Sequence, residues 1–395
     1  MIAISLVGAA MPVFGAPAPP VVTADSAIMV DAVTGTVLFE KRCHKRRPPA
    51  STTKIMTAIL ALEHGDLDET VKASSKASKT PFGSLHLKPG ETLTLNDLVR
   101  GMLLRSANDA AVCAAEHIAV SEKKFVEMMN AKAKELGAKD THFVNPHGLY
   151  NPEHYSTAYD LALMARHACR IPLFNEMVSM KTTTIERSVN SKDAFIRSTA
   201  RFLWKYDGAD GIKTGYTREA GHCFVGSATR HGWRLIAVIL KSKDVNADTA
   251  ALLDYGFKFF KLVAFAKVNE TVTTTRVAGG VVDEVRLLPT TDLALVVRNS
   301  AEAEPRIELD VKEAVAPVQK GDKLGTLTAY MDDRKIGSVD LVAADSVERT
   351  PAAAILWWVR SLFAATCIFV VGFVAYGTAV EKAARRRRRR LAAGS

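Results

Sequence analysis

The stretch from Ile55 to Leu62 is apolar at every position but Thr57. A helix that is apolar on all sides has no face to give to water, so any fold of this chain must surround it with other elements. The chain supplies them. Upstream, Ala27-Ile-Met-Val-Asp31, a turn over Ala32 to Gly35 and Thr36-Val-Leu-Phe-Glu40 read as a β-hairpin. Pro48-Pro49 stops it, and the apolar helix begins near Ser51. Helical periodicity returns over 95–104, 109–119, 122–136 and 157–169. Strand character follows over 211–217, 222–229 and 234–241, separated by glycine-bearing turns, and a last amphipathic helix covers 248–260. The pattern predicts an α+β fold over residues 22–262. In it the early hairpin and the three late strands form one antiparallel sheet, with flanking helices and a helical insertion.

With 395 residues the chain is too long for one core. Beyond Lys261 the texture changes to short alternating segments at 271–277, 282–288, 293–298, 306–311, 326–330 and 335–342. These predict a small all-β domain, a β-sandwich, over 268–345. Ser361 to Val380 then gives twenty residues without a charge, enough to span a bilayer core. Trp357 and Trp358 stand where an interfacial belt would be, and Arg360 can snorkel to the headgroups. Arg385 to Arg390 hold the far end in the cytoplasm. A C-terminal transmembrane helix is therefore expected over 355–380, a cytoplasmic polybasic tail over 381–395, and the body outside the cytoplasm. At the other end, apolar Ile2 to Gly15 and the exit Ala16-Pro-Ala-Pro-Pro20 predict a signal peptide over 1–18, though without a basic n-region.

The net charge of +10 follows the same division: Glu381 to Arg390 holds seven cations and one anion, hence +6, and leaves +4 for the rest. That remainder is no nucleic-acid footprint. Cys43, Cys113, Cys169 and Cys223 are widely spaced without a metal pattern, Cys367 lies in the expected span, and buried free thiols are the default.

Three short motifs carry candidate chemistry. In Ser51-Thr-Thr-Lys54 the i,i+3 spacing on a helix puts the amine within reach of the hydroxyl. At a helix start the Ser51 N–H also favours an oxyanion. Ser106-Ala-Asn108, between two helical runs, offers a hydroxyl and an amide that can relay a proton and orient a peptide. Lys213-Thr-Gly215, on the strand expected at the sheet edge, offers a cation, a hydroxyl and a glycine that admits a ligand's backbone, which suits capture of a carboxylate. Alone, each has a bland reading: a helix cap with a solvent lysine, a helix-to-helix turn, a solvent-facing strand. The ordered set on helix, loop and strand is specific.

With the longer strings Ala50-Ser-Thr-Thr-Lys-Ile-Met-Thr57, Ser106-Ala-Asn-Asp-Ala-Ala111, Phe143-Val-Asn-Pro-His-Gly-Leu149 and Asp210-Gly-Ile-Lys-Thr-Gly-Tyr-Thr217, the chain resembles the low-molecular-mass penicillin-binding proteins, the serine D-alanyl-D-alanine carboxypeptidases. The resemblance runs from about Ala27 to the C-terminal anchor, and Ala316 to Val342 looks like that family's C-terminal β domain. It implies a penicillin-binding/β-lactamase-like fold, removal of the terminal D-alanine from peptidoglycan stem peptides, and β-lactams as covalent inhibitors. By resemblance Ser51 is the nucleophile, Lys54 its general base and Ser106 the proton donor to the leaving amine. Asn108 holds Lys54 and the substrate amide. Lys213, Thr214 and Thr217 bind the terminal carboxylate beside Gly215, and the N–H groups of Ser51 and Tyr216 form the oxyanion hole. No metal or organic cofactor is implied.

His147 is expected to pack its loop, the loop over 145–156 to border the site, and Asp210 to shape the strand entry. Ser198-Thr-Ala200 stands where relatives often carry asparagines. A β-lactamase would need Glu-x-x-x-Asn where this chain has Thr141-His-Phe-Val-Asn145. A DD-endopeptidase uses the same residues and stays open, and a non-catalytic penicillin-binding sensor is disfavoured because all six polar motif residues are present.

Overall fold

The computed structural model describes residues 18–299 and 304–352, with Ile355, Trp357, Thr366, Val371 and Tyr376 beyond them. Among the described residues no helix is long and apolar enough to cross a membrane. The signal peptide expected over 1–18 lies outside them save Ala18, and the span and tail expected over 355–395 lie outside them save those five positions. The chain divides into two units at Val263, with residues 295–299 returning to the first.

Alternation along the strands builds the first unit. Strands β1 (Ser26–Asp31), β2 (Val37–Lys41), β3 (Ala209–Thr217), β4 (Gly221–Arg230) and β5 (Trp233–Ser242) form an antiparallel sheet in the order β2-β1-β5-β4-β3. Side chains point to opposite faces at successive residues, so the inner strands β1 and β5 feed two cores. Ile28, Val30, Ile236, Val238 and Leu240 join the larger core, while Ala27, Met29, Leu235, Ala237 and Ile239 join the smaller one.

The larger core holds the helix demanded by the sequence. Helix α1 (Lys54–His64) is buried from Lys54 through Ala61, preceded by a 3-10 turn over Ala50–Thr53. Five helices pack on it: α2 (Leu95–Leu104), α3 (Asn108–Ala119), α4 (Glu122–Glu135), α5 (Ala158–Ala168) and α6 (Pro172–Ser179). The Thr57 hydroxyl inside it donates to the Pro146 carbonyl at 2.5 Å. Helix α7 (Val245–Phe259) covers the other face with Leu252 and Leu253. Capping fixes several starts: Thr94, Ser121, Thr157 and Asp244 each accept a backbone N–H of the following first turn. The Asp244 cap moves the start of α7 three residues ahead of the expected 248. Helix α6 went unanticipated, because eight residues hold too few periods to register.

Up to residue 350 the regular elements of the second unit, among the described residues, are all strands. Pro305–Val311, Lys323–Met331, Arg334–Ala343, Glu284–Pro289, Thr273–Ala278 and Ala314–Val315 lie side by side in that order in one sheet. Its core includes Leu287, Leu327, Leu341 and Ala343. One expected strand is reassigned: Leu293–Arg298 does not join this sheet but pairs with Phe260–Ala266. A short alternating run fits any sheet with a free edge, and sequence does not say which.

Candidate active site

The three motifs meet in a cleft of about 1050 Å³ in the first unit. Ser51, Ser106, Asn108, Thr214, Gly215, Tyr216 and Thr217 line it. Lys54 and Lys213, 0% and 1% exposed, lie beneath its surface.

Ser51 sits in the 3-10 turn, and Lys54 opens α1 one helical turn later. Lys54 Nζ lies 3.0 Å from Ser51 Oγ, 2.6 Å from Asn108 Oδ1 and 2.8 Å from the His147 carbonyl oxygen. Asn108 Nδ2 donates to the Pro81 carbonyl at 2.8 Å, which fixes the amide with its oxygen on the amine. Two of the three partners are therefore carbonyl oxygens, which only accept. A neutral amine has two N–H bonds and one lone pair. In that form both N–H bonds can go to the carbonyls, which leaves the lone pair to accept the Ser51 O–H. The surroundings favour that neutral form. Burial holds the Lys54 amine well below its ordinary range, the nearby Lys213 charge adds to the effect, and Asp109 opposes it. Burial also lowers Lys213, to about 7.

Ser106 stands at φ 61° between α2 and α3, a left-handed position that lets the chain turn sharply before Asn108 opens α3. Close backbone packing keeps this loop on its neighbour: a Cβ on Gly83 would fall 2.7 Å from the Ser106 carbonyl oxygen. Strand β3 lies at the sheet edge, as the sequence predicted, and leaves one side of its backbone free of a strand partner. Its Gly215 lies directly on the nucleophile turn, where a Cβ would meet the Ser51 nitrogen at 2.9 Å.

Other expectations have definite outcomes. The His147 side chain packs its loop, its Nδ1 accepting the Leu149 N–H at 3.1 Å. Its backbone carbonyl, however, reaches Lys54, a contact with no signature in sequence. Asp210 accepts from Ser227 and Thr229 and pairs with Arg234 at 3.2 Å, a structural role. In the Ser198-Thr-Ala200 segment, Thr199 Oγ1 lies 3.1 Å from Thr214 Oγ1, so Thr199 belongs to the cleft. Arg201 and Arg218 line it as well and were not anticipated. Cys43, Cys113, Cys169 and Cys223 are free.

The cleft's constellation agrees with what the chain is similar to. Residues 14–244 match the family profile described as D-alanyl-D-alanine carboxypeptidase, and residues 260–349 match that of the penicillin-binding protein 5 C-terminal domain. The D-alanyl-D-alanine carboxypeptidase DacF of Bacillus subtilis is 34% identical over 82% of this chain and 86% of its own length. DacA of Escherichia coli is 33% identical over 84% of this chain and 85% of its own. The crystal structure of penicillin binding protein 5 from Haemophilus influenzae superimposes with a TM-score of 0.66 at 30% identity, covering 84% of this chain and 99% of that one. Matching profiles over both units, relatives matched over most of their length and a serine–lysine pair in the expected cleft lead to one conclusion: this chain belongs to the D-alanyl-D-alanine carboxypeptidase family of serine-type penicillin-binding hydrolases.

Proposed function

We propose that Ser51 carries the hydrolysis of the bond between the last two D-alanines of a peptidoglycan stem peptide. The observation that supports it most is the buried Lys54 amine 3.0 Å from Ser51 Oγ, with carbonyl oxygens as its two other partners. Lys54 takes the Ser51 proton as Oγ attacks the penultimate carbonyl carbon. The developing oxyanion is met by the N–H groups of Ser51 and Tyr216. Ser106 passes a proton to the departing D-alanine nitrogen, and Asn108 holds the substrate amide. The terminal carboxylate binds at Lys213, Thr214 and Thr217 beside Gly215, where the free edge of β3 lets the peptide lie as an added strand. Water then attacks the Ser51 ester and releases the shortened peptide.

The same reading places the body outside the cytoplasm, anchored by the uncharged stretch Ser361 to Val380 with the arginine run inside. β-Lactams would acylate Ser51 in place of substrate. The test is D-alanine release from a stem pentapeptide by the purified chain beside Ser51→Ala. Release by the parent and none by the variant is expected; release by Ser51→Ala at the parent's rate would refute the assignment.

A further inference from the structure

Ala50, the residue before the proposed nucleophile, stands at φ 49°. This left-handed conformation is strained for a residue with a Cβ, so neighbouring contacts must hold it. One contact is the Thr53 hydroxyl, 2.8 Å from the Ala50 carbonyl oxygen. Thr53 Oγ1 in turn lies 2.9 Å from His154 Nε2, and the Val144 nitrogen lies 3.2 Å from His154 Nδ1.

Hydrogen accounting orders this chain of groups. The Ala50 carbonyl only accepts, so the single Thr53 hydroxyl hydrogen goes to it. Thr53 Oγ1 must then accept from His154, which puts the ring proton on Nε2. The Val144 N–H only donates, so Nδ1 is the acceptor. The ring is thus neutral, in one tautomer, with both nitrogens used. It is 2% exposed, stands edge-on to Phe143 at 5.6 Å between ring centroids, and does not line the cleft. A histidine that merely filled the core would not need its N–H aimed at the turn that carries Ser51.

We infer that His154 is a positioning residue for the nucleophile: its Nε2–H fixes the Thr53 hydroxyl on the Ala50 carbonyl and so sets the direction of Ser51 Oγ and N–H. This rests on the reading of Ser51 as the nucleophile. Released from His154, the Thr53 hydroxyl can rotate, the Ala50 turn relaxes, and Ser51 loses its alignment with Lys54. Substrate contacts on β3 stay in place, so the loss falls on the chemical step rather than on binding.

The test measures acylation of Ser51 by a fluorescent penicillin, and kcat and KM for D-alanine release, in the full chain. The variants are His154→Leu, His154→Gln and Thr53→Val. A misaligned nucleophile predicts a fall of at least about tenfold in acylation rate and kcat for His154→Leu, with KM within about threefold. His154→Gln, whose amide N–H can replace Nε2–H, should recover most of the loss. Thr53→Val should reproduce the loss while leaving the histidine intact, and carries the test should His154→Leu fail to fold. Parent rates in both His154→Leu and Thr53→Val, or an equal loss in His154→Gln and His154→Leu, would overturn the inference. A parent chain that takes no label at Ser51 would instead refute the nucleophile assignment, a separate result.

Discussion

Asn108→Asp tests whether Lys54 acts as a neutral base, because it changes charge with almost no change in shape. The introduced carboxylate would lie 2.6 Å from Nζ, the present Oδ1 distance. At an effective dielectric constant near 20, a full charge pair at that range gains about 6 kcal/mol. Burial of the new charge, and loss of the donation to Pro81, take back roughly half. About 3 kcal/mol remains in favour of the ammonium, or roughly two pK units. Only the neutral amine accepts the Ser51 proton, so acylation is present above the lowered Lys54 pKa and is lost as pH falls through it. Asn108→Asp moves that limb about two units toward alkaline pH and cuts the rate on it about 100-fold. The assay is the acylation rate with a fluorescent penicillin across pH, with thermal melting as the check on folding. A folded variant with the parent's pH profile would sink the neutral-lysine mechanism.

Lys213→Met should inactivate yet stabilise. Lys213 titrates near 7 when folded against an ordinary 10.5, so the unfolded chain binds more protons between those values and the buried amine costs stability most below pH 7. Melting should therefore rise in the variant at pH 6, with the gain shrinking toward pH 10; an unchanged or lower melting temperature at pH 6 would contradict this. Gly148→Ala should destabilise by several kcal/mol and abolish acylation, since Gly148 is at φ 88° and a Cβ would fall 1.9 Å from the Ala50 carbonyl oxygen. Denaturant unfolding measures it, and a variant of parent stability would rule it out. The only carboxylate lining the cleft among the described residues is Glu219, which is exposed. The penicilloyl-Ser51 adduct should consequently persist, and rapid β-lactam turnover followed by absorbance would defeat that expectation.

Much of this site was legible before any coordinates. The i,i+3 spacing of Ser51 and Lys54 is a property of one helical turn, and the all-apolar stretch after it could only be a central helix. Capped and strongly periodic helices such as α2 and α4 declared themselves for the same local reason. Pro172–Ser179 did not, being short, and the partner of Leu293–Arg298 was invisible because strand pairing is set by distant residues.

The sequence by itself determined the residue types, their order along the chain, and the hydrophobic periods that make an α+β body followed by an all-β unit. Only the tertiary structure decided that the His147 carbonyl joins Asn108 on the Lys54 amine, that Thr199 stands beside Thr214, and that His154 reaches the nucleophile turn. The reason is physical. A backbone carbonyl is the same in every residue, and a hydrogen bond between groups far apart in the chain depends on packing that no local pattern encodes.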